Sequence, residues 1–189
     1  METTSNKQHL TLADLTPVQN EFIRNCKEYA FKCHADTNHL YDGKSYANHL
    51  IMVFNYGLKY AYLINDKMAL HYVLGSCYTH DTIEDTRQTY NDVQMACGDI
   101  VANITYALTN EKGKNRKERA GLKYYQGIRA TPCAAYVKIC DRLANVKYSF
   151  DNQGSMLEKY RKEQQSFKSE LYADRFKDMF DELDNLLKL

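Results

Sequence analysis

The sequence has little glycine and proline, the residues that interrupt regular secondary structure. Its 189 residues include 8 glycines and 2 prolines, about half the share expected from average usage of roughly 7% and 5%. Few turns and irregular segments are therefore expected, which favours helix. The chain is long enough for one domain with a sizeable hydrophobic core, so folding does not require disulfides.

The sequence also lacks an excess of charge and any long apolar segment. Lys and Arg number 25 against 24 Asp and Glu, a net charge of +1, which argues against a surface that binds polyanions throughout. No eighteen apolar residues run together, and residues 1–10 contain no apolar signal core. We expect a cytoplasmic protein without nucleic acid or membrane partners, whose phosphate site, if it has one, is local. Assembly into a homo-oligomer stays open.

No C-x-x-C pair is present, although the chain has six cysteines. Most of them fall within apolar helical patterns, where buried thiols are expected. Pairs seven residues apart suit packing on one helix face better than zinc binding. The cysteines are Cys26, Cys33, Cys77, Cys97, Cys133 and Cys140.

Helix starts and breaks are marked at several points. Thr16-Pro17 and Thr131-Pro132 each combine an N-cap residue with a proline suited to the first helical position. Asp66 is predicted to cap a third helix, and a second is predicted to begin near Ser45. Gly98-Asp99 predicts a break. We find neither a hairpin signature nor an internal repeat.

These patterns predict one all-α domain over residues 1–189, with roughly eight to ten helices. Residues 1–15 are expected to form a flexible N-terminus, and residues 173–189 a C-terminal amphipathic helix. No segment rich in proline or glycine divides the chain.

Polar residues interrupt the apolar helices at three places. His80-Asp81 follows the apolar helix before it, His49 lies on the inward face of its helix, and Asp141 lies within a core-type run. A buried carboxylate needs compensation. Two imidazoles and two carboxylates suit Mn²⁺ or Fe²⁺, and Zn²⁺ is an alternative. Taken singly, His49 fits a satisfied core histidine equally well, and Asp141 an ion pair with Arg142 or another base.

Glu84-Asp85 follows the His80-Asp81 pair after two residues. These carboxylates would lie within one helical turn of a metal held by Asp81, close enough to orient a water molecule and take its proton. The alternative is a pair of solvated residues at a helix terminus.

The order and spacing of these residues resemble a known pattern. His49, the string His80-Asp81-Thr82-Ile83-Glu84-Asp85-Thr86 and the segment Asp141-Arg142-Leu143-Ala144-Asn145 are similar to the motifs of HD-type metal-dependent phosphohydrolases. Within that family, the chain resembles the hydrolase domain of RelA/SpoT-type proteins and the small alarmone hydrolases. The resemblance extends from about residue 21 to about residue 166.

The resemblance implies an all-helical HD-type domain with one metal ion, usually Mn²⁺. It implies water activation by Glu84 and Asp85, and substrate contacts from Asn145 and from Tyr160 in the next helix. The implied metal ligands are His49, His80, Asp81 and Asp141.

The resemblance also implies basic residues against the nucleotide before the His49 helix, where this chain offers Lys44. A second basic element lies between Lys112 and Lys123, and we select Lys112, Arg116 and Arg119 from it as candidate phosphate contacts. Such a run can also be a solvated face.

The predicted function is therefore a metal-dependent phosphohydrolase, with guanosine 3′,5′-bis(diphosphate) as the leading substrate and pyrophosphate as the leaving group. Because residues 38–44 are poor in bases, other phosphoesters stay open, such as the 2′-phosphate of NADPH or a nucleoside monophosphate. A nucleotide-binding sensor without catalysis is the alternative from a different class.

Overall fold

The computed structural model describes residues 12–64, 66, 69–110, 118 and 120–188. In this part of the chain the protein has nine α-helices, three short 3-10 turns and one two-stranded sheet. The helices are α1 Pro17–Asp36, α2 Ala47–Lys59, α3 Leu70–Thr79, α4 Thr82–Asp85, α5 Tyr90–Leu108, α6 Leu122–Ala130, α7 Ala134–Asp151, α8 Met156–Leu171 and α9 Lys177–Leu187. The predicted all-α class is confirmed.

Helix α3 lies at the centre of the fold. It packs against α1, α2 and α5, while α7 packs against α2, α8 and α9. Leu50, Leu74, Ile139 and Leu143 are fully buried where α2, α3 and α7 meet. Burial of this apolar surface supplies the main driving force for folding. It also fixes the three helices that carry the polar residues of interest.

The predicted helix start at Thr16-Pro17 is confirmed, and both α1 and α5 begin with a reciprocal capping interaction. Thr16 caps α1 by accepting a hydrogen bond from the backbone N–H of Gln19, whose side chain accepts from the Thr16 N–H. Thr89 and Asp92 form the same reciprocal arrangement at α5. Each capping box satisfies two backbone donors that the first turn leaves unpaired.

Two other boundaries differ from the prediction. Asp66 does not cap α3, because the helix begins only at Leu70 and its N-cap residue is Ala69. Thr131-Pro132 lies in a turn closed by an Ala134 N–H to Thr131 carbonyl bond. Cys133 has φ 65° there, so α7 begins two residues after Pro132.

A small antiparallel hairpin that the sequence analysis missed joins α1 to α2. Strand β1 is Leu40–Tyr41 and strand β2 is Lys44–Ser45. The turn between them is Asp42-Gly43, with φ of 51° and 72°. Two successive positive φ values are typical of the tight turns that Asp-Gly favours. Helix α2 begins after the hairpin, at Ala47 rather than at Ser45.

The predicted break at Gly98 is a kink inside α5. Gly98 has φ 79° and ψ 169°, and an added Cβ there would meet no atom within 4 Å. The residue is therefore needed for its backbone conformation and not for close packing.

The structure describes part of each chain end. Residues 1–11 lie outside the described part, but Leu12–Asp14 form a 3-10 turn and Leu15 is buried. At the other end α9 has a buried apolar face and follows a 3-10 turn at Asp174–Phe176. The buried residues of α9 are Met179, Phe180, Leu183 and Leu187.

All six cysteines are free thiols, and five of them are buried as predicted. Cys133, at the turn before α7, is half-buried. Among the described residues, no helix is long and apolar enough to cross a membrane.

Candidate metal centre and its cavity

Four side chains from three parts of the fold meet at one point. His49, His80, Asp81 and Asp141 each offer a ligand atom, and these atoms all lie within 4.8 Å of one another. Nε2 of His80 is 2.9 Å from Oδ2 of Asp81, and Nε2 of His49 is 3.2 Å from Oδ1 of Asp141. The predicted ligand set is therefore brought together.

The three central helices position these ligands. His49 is in the first turn of α2, His80 and Asp81 directly follow α3, and Asp141 lies in the middle of α7. The imidazoles are each 1% exposed and Asp141 is 7% exposed. Because α2, α3 and α7 pack on one another, the ligands converge in the protein interior.

The chemistry of the four side chains fits a divalent cation. Nδ1 of His80 lies 3.0 Å from the carbonyl oxygen of Cys77, which can only accept, so Nδ1 carries the proton. Nε2 of His80 then faces carboxylate oxygens, and this buried atom makes no hydrogen bond with any described residue. A cation between this nitrogen and the two carboxylates would give it a partner. Two imidazoles and two carboxylates are ligands of divalent transition metals.

The charges in the cluster shift the pKa values of its members. Burial would raise the pKa of Asp81, but the charge of His80 holds it below its usual value. Burial has the same effect on Asp141, where the charge of Lys138 and the facing imidazoles of His49 and His80 keep the pKa well below normal. Both carboxylates are thus held in the ionised form that binds a cation.

Asp141 has further partners along its own helix. Nζ of Lys138 lies 2.9 Å from Oδ2 of Asp141, and Nδ2 of Asn145 lies 2.6 Å from Oδ1. The alternative was an ion pair of Asp141 with Arg142 or another base, and Arg142 binds Glu163 instead, at 3.0 Å. Lys138 is the base that pairs with Asp141.

Asn145 lines the cavity beside the cluster, yet its amide is used within the protein. Its Nδ2 donates to the side chain and backbone carbonyl of Asp141, and its Oδ1 accepts from the Tyr41 hydroxyl at 2.9 Å. Asn145 therefore holds a metal-ligand candidate, and the substrate contact implied by the resemblance stays a prediction.

The cluster opens into a cavity of about 690 Å³. Asp81 and Asp141 are on its wall together with Glu84 and Asp85. Cavities of about 300–1,000 Å³ are typical of small-molecule sites. The predicted water-activating pair is thus placed beside the predicted metal site.

The two carboxylates of that pair lie in different surroundings. Oε1 of Glu84 accepts from the side-chain amide of Asn110 at 2.7 Å, and Oε2 accepts from its backbone N–H at 3.2 Å. Burial, with the charges of Asp81 and Glu84, raises the pKa of Asp85 to about 7. A carboxylate with a raised pKa is a candidate general base.

The other predicted substrate-binding residues have different outcomes. Tyr160 lines the cavity, with the guanidinium of Arg142 4.9 Å from its ring centre. Lys44 is exposed on β2 and does not line the cavity. Lys112, Arg116 and Arg119 lie outside the described residues.

Two tyrosines near the cluster were not assigned a role from sequence. Tyr46, just before α2, donates from its hydroxyl to Oδ2 of Asp81. The ring of Tyr41 stacks on the imidazole of His49, with centres 4.8 Å apart and planes inclined by 12°. Tyr46 lies three residues before His49, a spacing that places two side chains on one face of a helix, and that spacing is the signal that could have marked it.

The sequence was compared with family models and with known proteins. No family model matches the chain. The guanosine-3′,5′-bis(diphosphate) 3′-pyrophosphohydrolase MESH1 of Xenopus tropicalis is 32% identical over 75 residues, 40% of this chain and 42% of that protein. The human MESH1 is 33% identical over the same length. The chain thus spans about two fifths of the length of these relatives.

A bacterial relative and a solved structure extend the comparison. The guanosine-3′,5′-bis(diphosphate) 3′-pyrophosphohydrolase of Aquifex aeolicus is 30% identical over 134 residues, 69% of this chain and 18% of that protein. The solved structure of a metazoan orthologue of SpoT, described as hydrolysing ppGpp and acting in starvation responses, matches with a TM-score of 0.69 at 21% identity. It covers 88% of this chain and 94% of that one.

The chain resembles the alarmone hydrolases. The resemblance inferred from the motifs is confirmed in sequence by these relatives and in fold by the solved structure. The His and Asp cluster is accordingly a candidate site for a divalent metal.

Proposed function

We propose that the protein is a Mn²⁺-dependent phosphohydrolase that removes pyrophosphate from the 3′ position of guanosine 3′,5′-bis(diphosphate). The observation that carries the proposal is that the metal-ligand cluster and the Glu84-Asp85 pair lie next to each other at one cavity. The four ligand atoms lie within 4.8 Å of one another, and Glu84 and Asp85 line the cavity into which that cluster opens. The names of the relatives supply the substrate.

Four residues of the chain would bind the metal ion in such a reaction. His49, His80, Asp81 and Asp141 would hold the cation, and Mn²⁺ matches their mixture of imidazole and carboxylate. When bound, a divalent cation lowers the pKa of water and neutralises charge on the phosphate.

Glu84 and Asp85 act on the attacking water. Because Asn110 binds both oxygens of Glu84, that side chain is held in one orientation and can orient the water. Asp85 has the raised pKa that suits a group accepting a proton near neutral pH. We assign the orienting role to Glu84 and the proton-accepting role to Asp85.

The charge of the cavity supports a cation-dependent reaction. Five carboxylates and three bases line it, and two of the bases, Lys138 and Arg142, already pair with carboxylates. The third, Lys162, is exposed. A polyphosphate substrate therefore needs positive charge beyond that of the described residues, and the cation at the cluster supplies part of it.

The proposal is tested by measuring pyrophosphate release from guanosine 3′,5′-bis(diphosphate) with added Mn²⁺. Asp81→Asn removes one charge from the cluster and is expected to abolish both turnover and Mn²⁺ binding. Asp151→Asn is the matched control, since Asp151 forms an exposed pair with Lys147 on α7. It is expected to behave like the wild type.

Parallel assays with NADPH and with nucleoside monophosphates separate the substrate classes. Faster turnover of either one would replace the guanosine substrate while keeping the metal chemistry. Calorimetric binding of the guanosine nucleotide without turnover of any of these compounds would instead indicate a sensor. Absence of Mn²⁺ binding by the wild type would refute the proposed metal site.

A further inference from the structure

Tyr46 connects the candidate metal ligands to the water-activating pair. Its side chain is buried, and its hydroxyl donates a hydrogen bond to Oδ2 of Asp81. The same hydroxyl lies 3.5 Å from Oδ2 of Asp85. A single neutral donor is therefore placed between a metal-ligand candidate and the candidate general base.

The ring of Tyr46 stacks on two histidines. His34, near the end of α1, and His39, before β1, lie side by side with their Nδ1 atoms 2.9 Å apart. Their rings stack on Tyr46 with centres 4.4 and 3.9 Å from its ring centre, at inclinations of 16° and 19°. This histidine pair forms a flat platform under the phenol ring.

The edge of the same ring faces the metal cluster. The imidazole of His49 lies 5.2 Å from the Tyr46 ring centre at an inclination of 66°, and Tyr41 lies at 6.0 Å and 76°. Contacts on the face and on the edge leave the ring little freedom to rotate. The position of the hydroxyl is accordingly fixed by packing, before any cation binds.

The Asp81 carboxylate depends on this one hydroxyl more than the Asp141 carboxylate depends on any one donor. Asp141 receives Lys138 on one oxygen and Asn145 on the other. Apart from the two imidazoles that face it, the Asp81 carboxylate receives one side-chain hydrogen bond from the described residues, that of Tyr46.

One oxygen of Asp81 faces both the Tyr46 hydroxyl and the two imidazoles. Oδ2 of Asp81 faces Nε2 of His80 at 2.9 Å and Nε2 of His49 at 3.7 Å. A carboxylate oxygen has two acceptor directions. The Tyr46 hydroxyl occupies one of them, which leaves the second acceptor direction for a cation.

We propose that Tyr46 is a positioning residue that fixes the Asp81 carboxylate for cation binding, with His34 and His39 as the platform that holds it. This inference rests on the proposed metal site. Partners that orient metal ligands in this way typically contribute 10- to 100-fold to metal affinity or activity.

The test is the Mn²⁺ dissociation constant of Tyr46→Phe, measured by calorimetry on the full chain. This variant keeps the stacked ring and loses only the hydroxyl. We expect Mn²⁺ to bind about 10- to 100-fold more weakly, whereas the KM for nucleotide at saturating Mn²⁺ stays close to that of the wild type, because the hydroxyl does not line the cavity. A purely structural role would lower thermal stability without this selective loss.

Tyr62→Phe is the matched control. The Tyr62 hydroxyl donates to Oδ2 of Asp178 at 2.6 Å, so this variant also removes a tyrosine-to-aspartate hydrogen bond, at a place where no metal-ligand candidate is involved. It is expected to bind Mn²⁺ as the wild type does. An equal loss of affinity in both variants would overturn the inference.

A second variant covers the case in which Tyr46→Phe folds poorly. His39→Ala keeps the hydroxyl and removes the half-buried side of its platform, and we expect a measurably weaker affinity for Mn²⁺ in this variant too. Wild-type affinity in Tyr46→Phe, or in His39→Ala if only that variant folds, refutes the positioning role. If the wild type itself binds no Mn²⁺, the proposed function fails at its first step, and that result is distinct.

Discussion

Nζ of Lys138 lies 2.9 Å from Oδ2 of Asp141, one helical turn away on α7. Both side chains are largely buried. Although burial alone would lower the pKa of the lysine, the charge of Asp141 raises it well above its usual value. The ammonium and a bound divalent cation would therefore compensate the same carboxylate from two sides.

Replacing this lysine should affect the metal-free protein most. We expect Lys138→Met to lower the free energy of unfolding by about 3 kcal/mol without metal, because it leaves a buried carboxylate without its charged partner. The loss should shrink when Mn²⁺ is saturating, since the cation then compensates Asp141. Chemical denaturation with and without Mn²⁺ measures both values.

The control for that experiment is Lys147→Met on the same helix. Lys147 pairs with Asp151 at the surface, where both side chains are close to half exposed, and such pairs contribute about 0–1 kcal/mol. Equal losses with and without Mn²⁺ in Lys138→Met would contradict the shared-compensation argument.

Asp85→Asn should separate catalysis from metal binding. The amide keeps the size of the side chain but accepts no proton, so we expect kcat to fall by about 10²- to 10⁴-fold. Mn²⁺ affinity should change little, because Asp85 is not among the four clustered ligands. Steady-state kinetics and calorimetry give the two numbers.

Asp99→Asn provides the comparison for this variant, since Asp99 is exposed on α5 and, among the described residues, accepts a hydrogen bond from Gln94 alone. It should leave kcat unchanged. Retention of most of the activity in Asp85→Asn would assign the proton-accepting role to another group.

His34 should make stability depend on pH in the metal-free protein. Burial lowers its pKa from 6.5 to about 4, so between these values the unfolded chain binds a proton that the folded protein does not. Its contribution is present above pH 6.5 and is lost as the pH falls to 4, at most about 3 kcal/mol. We expect His34→Phe, which keeps a ring on Tyr46, to gain in stability relative to the wild type over this range.

The comparison has to be made at each pH between the two proteins. Asp85 acts in the opposite direction, because its raised pKa of about 7 makes the folded protein bind the extra proton between 3.8 and 7. The wild type alone can therefore have a flat profile. A difference between variant and wild type that is constant from pH 7 to 4 would show that His34 does not titrate as described.

Two glycines in helices should respond oppositely to substitution. An added Cβ at Gly57 would lie 2.7 Å from Sγ of Cys77, and such overpacking costs about 1–3 kcal/mol. Gly127 has no atom within 4 Å of that position, so Gly127→Ala should stabilise α6 by about 0.5–1 kcal/mol. Thermal unfolding of both variants tests the pair. Gly57→Ala combined with Cys77→Ala should recover part of the loss.

The ligand cluster could be predicted from sequence because its residues break a strong pattern. His49 and Asp141 lie on helix faces that are otherwise apolar, and His80-Asp81 directly follows the apolar helix α3. A polar group at a position that must be buried needs a partner, and this requirement is visible without coordinates. Which group partners which is not visible, and the pairing of Asp141 with Lys138 and not with Arg142 required the structure.

The hairpin was missed for a physical reason. Each strand has two residues, too few to show the alternation that identifies a strand. The Asp42-Gly43 turn was the one local sign of it. The role of Asn145 was equally hidden, since its amide is committed to Tyr41 and Asp141 by contacts across the fold.

That hairpin fixes how Tyr41 and Tyr46 are placed relative to each other. The two residues lie on either side of its turn and contact two different ligands of the same cluster. The pairing of Tyr41 with Lys44 sets the register of the strands between them. Inserting or deleting one residue would shift that register and turn alternate side chains to the opposite face. The length of this short connection is therefore under tighter constraint than that of an ordinary surface loop.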